Sequence, residues 1–127
     1  MVIKMYKLFF IFLFCTFFGF GQIGLKSRDK DEAKLFIDSL RNEIVKGTQF
    51  SVLAALYSED PGSAKQGGLL SPFTRGQMVP EFESVAFKSE VGILSDVFET
   101  KFGFHILQVI GREGEKVSAK HILIGFK

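Results

Sequence analysis

The chain has 127 residues, with 16 basic and 14 acidic side chains, two histidines and one cysteine. A balance this close to neutral leaves no basic footprint for nucleic acid, and a single cysteine builds no disulfide framework. The length suits one compact domain with one core.

The first element is a leader. Lys4 and Lys7 form a positive n-region, Leu8 to Phe18 an apolar run, and Gly19-Phe20-Gly21 a small-x-small exit, which predicts a signal peptide over 1–21. The apolar run falls short of the roughly 20 residues that span a bilayer. Cleavage near Gly21 makes the mature protein periplasmic or secreted, with no membrane span; an uncleaved leader would anchor it. Cys15 follows the bulky Phe14, a poor neighbour for lipid attachment. Removing residues 1–21 takes away Cys15, Lys4 and Lys7, which leaves fourteen basic against fourteen acidic residues.

Asp29 with Glu32 three residues later predicts a helix start, and Ala33, Phe36, Ile37, Leu40 and Ile44 follow helical spacing up to Lys46-Gly47. A second helix carries Phe50, Leu53, Ala54 and Tyr57 on one face. The stretch "SEDPGSAKQGG" is rich in turn residues. "LLSPF" predicts a short strand, confined to an edge or bulge by Pro72. After the turn "RGQM", a helix opens with Pro80 at its first position. "SDVFET" and "FGFHILQVI" then predict strands, so the class is α+β.

The closing hairpin repeats "HIL", once at His105 and once at His121. A three-residue loop, Arg112-Glu113-Gly114, would pair Gly111 with Glu115. Val109 then faces Val117, Leu107 faces Ala119 and His105 faces His121. Alternation puts these six side chains on one face, with Gln108, Lys116, Ser118 and Lys120 on the other.

The segments "FSVLAALYSEDPGSAKQGG", "RGQMVPEFESVAF" and "FGFHILQV" resemble the parvulin-type peptidyl-prolyl cis/trans isomerases, above all the exported foldases of the SurA-like and PpiC-like kind. The similarity runs from about Asp29 to Ile110, and its specificity lies in the combination of blocks. It implies a parvulin (FKBP-like) domain: an antiparallel four-stranded sheet with about four helices. The family's opening "HIL-aliphatic" strand is missing before the first helix, where Gln22–Lys26 has glutamine in place of histidine. The equivalent "HILI" stands at the C-terminus. The chain thus resembles a short or truncated version of a tandem protein: a leader over 1–21, an isomerase domain over 22–111, and 112–127 like the start of a second domain. That last strand could fill the vacant first-strand position, remain loose, or be swapped in a dimer.

The resemblance also implies a chemistry. An apolar pocket for the proline ring maps to Leu70, Met78, Phe82 and Phe102, and a polar rim to Asp60, His105 and, if the last strand fills the vacant position, His121. No cofactor and no metal are implied, and the partners would be unfolded or proline-containing polypeptides. Read without the resemblance, Leu70, Met78 and Phe82 fit a core, Asp60 before Pro61 fits a turn, and the histidines fit half-exposed strand positions. Two histidines without cysteine fall short of a zinc set. Three positions depart from the family pattern: Leu69 where a carboxylate is usual, Ser71 where glycine is, and Ser89 where leucine is. A non-catalytic peptide-binding chaperone module of the same fold, or an inactive fragment of a longer protein, is therefore the alternative.

Overall fold

The computed structural model describes residues 28–127; the expected leader and the Gln22–Lys26 stretch lie outside the described residues. Helix α1 spans Lys30–Val45, α2 spans Phe50–Tyr57 and α3 spans Pro80–Lys88, with one 3-10 turn at Ala64–Gln66 between α2 and α3. Strands β1 (Phe98–Thr100), β2 (Gly103–Glu113) and β3 (Lys116–Ile124) form an antiparallel sheet in the order β1-β2-β3. This is an α+β fold. Among the described residues, no helix is long and apolar enough to cross a membrane.

Local chemistry explains the helix ends. The Asp29 carboxylate accepts from the Glu32 N–H at 2.8 Å, and the Glu32 carboxylate accepts from the Asp29 N–H at 3.2 Å. This capping box satisfies two of the otherwise free donors of α1. Gly47 ends α1 with a φ of 115°, a region closed to most side chains. Pro80 sits at the first position of α3, where its missing N–H would have had no partner.

Both faces of the sheet are buried. Phe104, Ile106, Ile122 and Ile124 pack beneath α1 and α2, against Ala33, Ile37, Leu40, Phe50, Leu53 and Ala54. Leu107, Val109, Val117 and Ala119 pack on the opposite side, against Phe73, Phe82 and Ala86 of the α3 region. The expected polar face of the hairpin is therefore an apolar one, although Lys120 remains there with its ammonium 5.0 Å over the Phe50 ring.

The hairpin register differs from the sequence expectation. Its loop is Gly114-Glu115, two residues rather than three, and Gly114 takes the positive φ of 60°. Gly111 consequently pairs with Ser118 instead of Glu115. A bulge between Val109 and Gly111 then returns one residue, so Leu107 pairs with His121 and His105 with Leu123. The histidines are diagonal neighbours, not direct partners. The net slip is even, so both side chains stay on the expected face.

Two expected strands are shorter than expected. "LLSPF" contributes only isolated bridges, Leu69 to Lys120 and Phe73 to Val117, on the free side of β3. Pro72, with no N–H to donate, interrupts them. In "SDVFET", only Phe98–Thr100 is regular strand, and Leu94 makes a single bridge to Gln108. The C-terminal strand thus lies inside the sheet of its own chain, between β2 and residues 69–73. Ser58 and Glu59 hold its far end: the Leu123 N–H donates to Ser58 Oγ, and the Gly125 N–H donates to the Glu59 carboxylate.

Candidate functional site

The site is built where β2, β3 and the turn after α2 converge. His121 on β3 donates from Nε2 to Asp60 Oδ2 at 2.8 Å and lies 3.1 Å from Ser63 Oγ. Ser63 in turn donates from its hydroxyl to Asp60 Oδ2 at 2.6 Å, and the Gly62 N–H donates to Asp60 Oδ1 at 3.3 Å. The carboxylate is thus fixed by its own turn before it meets the imidazole. Across the strands, the Nδ1 atoms of His105 and His121 lie 3.4 Å apart. On the far side of His105, Nε2 lies 2.7 Å from Thr100 Oγ1, which also accepts from the Phe102 N–H at 3.1 Å.

These partners assign the tautomers. Asp60 accepts, so His121 carries its proton on Nε2 and offers a bare Nδ1. His105 therefore carries its proton on Nδ1, and its bare Nε2 accepts from the Thr100 hydroxyl. One directed chain runs from the Phe102 N–H to the Asp60 carboxylate, with both imidazoles neutral. Both histidines are buried, at 3% and 5% exposure, and an imidazolium would be strongly disfavoured there.

The electrostatics follow from that burial. Loss of water pushes His105 down to about 4, the charge on His121 adds to the drop, and Asp60 opposes it. Burial also lowers His121, against the hydrogen bond and charge of Asp60. For Asp60, burial works to raise the carboxyl; the hydrogen bonds of Ser63 and His121, the His121 charge and the Gly62 N–H outweigh it and hold the group below its ordinary value. Near neutral pH the site holds one carboxylate and two uncharged imidazoles.

An aromatic wall closes the pair. Phe98 stacks on His105 at 5.2 Å and 12°, and the two imidazoles stack at 5.6 Å and 16°. Phe82 from α3 meets both edge-on, with centroids 5.6 Å and 5.3 Å away. Such T-shaped contacts fix ring positions without using the imidazole nitrogens. Leu70 and Met78, half-buried, pack against the apolar cluster that contains Phe82. Phe102 is elsewhere: it stands 56% exposed on the β1–β2 turn, with Lys101 5.2 Å over its ring.

Backbone proximity explains the double glycine. A Cβ at Gly68 would collide with the His121 carbonyl, and one at Gly67 would meet Ser51. Only glycine lets this turn lie against β3, where the His121 N–H donates to the Gly68 carbonyl at 2.9 Å.

The structure therefore gathers Asp60, His105, His121 and Phe82 into one cluster, with Leu70 and Met78 at its side and Phe102 apart. The sequence reading missed Ser63, Thr100 and Phe98. Ser63 carried a signal, the Asp-x-x-Ser spacing of a hydroxyl-closed turn. Thr100 and Phe98 become visible only once β1 folds back onto His105. Among the described residues, no group of three or more His, Cys, Asp or Glu is arranged to hold a metal ion.

Comparison with known proteins agrees with this architecture. The PPIC-type PPIASE domain family matches residues 21–113. The chaperone SurA of Pseudomonas fluorescens (strain Pf0-1) is 47% identical over 85 residues, covering 67% of this chain and 20% of that protein. The foldase protein PrsA of Geobacillus kaustophilus (strain HTA426) is 44% identical over 89 residues, covering 70% of this chain and 30% of that one. A crystal structure of the peptidylprolyl isomerase PrsA from Bacillus cereus superposes with a TM-score of 0.60 at 41% identity, covering 69% of this chain and 33% of that one. The chain spans a fifth to a third of the length of these relatives. The family match stops at residue 113, ahead of the strand that carries His121. This chain belongs to the PPIC-type PPIASE domain family.

Proposed function

We propose that this domain is a peptidyl-prolyl cis/trans isomerase that assists the folding of exported polypeptides. The observation that carries the reading is the closed chain Thr100–His105–His121–Asp60 set beneath Phe82. Rotation about an X–Pro bond faces a barrier of about 20 kcal/mol, because amide resonance must be broken. No covalent step is needed; each 1.4 kcal/mol or so removed from that barrier gives tenfold in rate.

The twisted amide has lost its resonance and is less polar than the planar one. An apolar wall of Leu70, Met78 and Phe82 would seat the proline ring, and Phe102 could extend that wall from the turn. Asp60, His105 and His121 would form the polar side, held rigid by the tautomer chain so that little reorganisation accompanies the twist. Ser63 and Thr100 act by holding those three groups. This division of roles supports isomerisation without a cofactor.

Names of relatives such as "Chaperone SurA" and "Foldase protein PrsA" support unfolded or proline-containing polypeptides as clients. The leader pattern supports an exported location, periplasmic or secreted; the exported chain should begin near Gln22 by mass analysis. We further read residues 112–127 as completing the domain formed by 22–111, since β3 supplies both His121 and the edge on which Leu69 and Phe73 bridge.

The deciding experiment measures isomerisation of a series of prolyl tetrapeptides by residues 22–127, together with binding of the same peptides. Acceleration that falls about tenfold or more in Asp60→Asn and Met78→Ala, with folding retained, is the expected result. Peptide binding without acceleration would leave a chaperone module of the same fold, as the departures at Leu69 and Ser71 favour. Neither binding nor acceleration would end the reading.

A further inference from the structure

Strand β2 holds one irregularity with a purpose outside the sheet. Val109 pairs with Ala119 and Gly111 with Ser118, so Ile110 is left without a partner of its own. A bulge of this kind reverses the side-chain alternation beyond it. A regular strand would send Arg112 to the α1–α2 face, alongside Ile106 and Gln108. Instead Arg112 lies opposite Val117, whose side chain packs in the α3 cluster.

There Arg112 meets the end of a helix. Its Nη2 donates to the carbonyls of Ala86 at 2.8 Å, Phe87 at 3.3 Å and Ser89 at 2.6 Å, with the guanidinium 5.9 Å from the Phe87 ring centroid. These lie at the C-terminal end of α3, where carbonyls lack helical partners and a cation is favoured. With 9 residues, α3 is too short to hold itself in water. Its position depends on what grips it. The front is held by the Gly76 N–H donating to the Glu83 carboxylate at 2.6 Å, the buried face by Phe82 and Ala86 in the apolar cluster, and the back by Arg112.

We infer that Arg112 is a positioning residue of the candidate site: it grips the last carbonyls of α3, and through that helix sets where Phe82 stands against the two imidazoles. Phe82 lies one turn from the gripped end and touches both rings. The inference rests on the isomerase reading for its kinetic readout, and on the imidazole contacts alone for its spectroscopic one.

Two substitutions test it in residues 22–127. Arg112→Met keeps the alkyl stem and removes the hydrogen bonds; Arg112→Lys keeps the charge but carries its ammonium on a shorter stem. Arg112→Met should raise the KM for a prolyl peptide about tenfold while kcat changes little, with Arg112→Lys in between. In both variants the His105 and His121 ring resonances should shift as Phe82 moves. Arg41→Met is the control, since it removes a comparable bond, from Arg41 Nε to the Ser95 carbonyl at 2.8 Å, away from α3. It should lower stability and leave KM and the imidazole resonances in place.

Unchanged KM and unchanged imidazole resonances in the Arg112 variants would overturn the inference. Equal shifts from Arg41→Met would overturn it too, by showing a general loosening. If the unsubstituted protein does not accelerate isomerisation, the isomerase reading fails, and the imidazole resonances still decide the role of Arg112. If Arg112→Met does not fold, Arg112→Lys carries both readouts with the same criteria.

Discussion

The two faces of the sheet are built from the same two strands to opposite standards. Beneath α1 and α2, Phe104, Ile106, Ile122 and Ile124 pack with aliphatic and aromatic side chains. Beneath α3, the same strands present Leu107, Val109, Val117 and Ala119, then give up two core positions to His105 and His121. The first face gains stability in proportion to buried apolar area. The second carries buried polar groups that are tolerable only because each one finds a partner. Among the described residues, no buried side-chain polar atom lacks a hydrogen bond. A sheet stabilised from one side can hold a polar cluster on the other.

The strongest test of that division acts on the apolar face. Ile106 is fully buried there, and Ile106→Ala should cost about 2–5 kcal/mol through lost transfer energy and a cavity. Denaturant unfolding would measure the loss, and peptide affinity of the still-folded fraction should stay unchanged. A parallel drop in affinity would show that the faces are not independent.

Acid acts on the other face. Both histidines titrate below the ordinary value of 6.5, His105 at about 4. The unfolded chain therefore binds protons before the folded one does as pH falls. Stability is fully present above about pH 6.5 and is lost as pH drops toward 4, by on the order of 2–3 kcal/mol for His105 alone. Asp60, also lowered, adds its own loss only below its unfolded value of 3.8. Unfolding titrations between pH 7 and 4 should show this slope, and His105→Phe should flatten it. A slope that persists in His105→Phe and His121→Phe would place the titrating group elsewhere.

The smallest effect sharpens the edge of the site. Phe102 is exposed on its turn, so Phe102→Ala should change stability by no more than about 0.5 kcal/mol. Its resemblance-based role predicts a loss of peptide affinity of about threefold, which follows from removing one part-buried aromatic contact. Calorimetric titration with a prolyl peptide would read this. Full affinity would restrict the pocket to Leu70, Met78 and Phe82.

Much of this molecule was legible from local chemistry. Asp29 and Glu32 announced the start of α1, Pro80 the start of α3, and the apolar spacing of α1 and α2 their buried faces, because caps and periodicity act within a few residues. The alternation in β2 and β3 also put both histidines on one face with Leu107 and Val117, and an even slip of register could not undo that. The resemblance named Asp60, His105 and, given a supplied strand, His121 as a polar rim, and Leu70, Met78, Phe82 and Phe102 as a pocket; of these, Phe102 stands apart.

Three things were decided only by the tertiary structure. The hairpin chose Gly114-Glu115 over a longer loop, and the bulge at Ile110 then set which residues pair; neighbouring turn types differ little in local energy, so packing on both faces selects among them. Thr100, Ser63 and Phe98 entered the site because β1 and the Asp60 turn are brought to the imidazoles from distant points in the chain. The protonation pattern came last. Two neutral imidazoles beside one carboxylate cannot be read from residue types, because it is burial and the direction of each hydrogen bond that set where the protons rest.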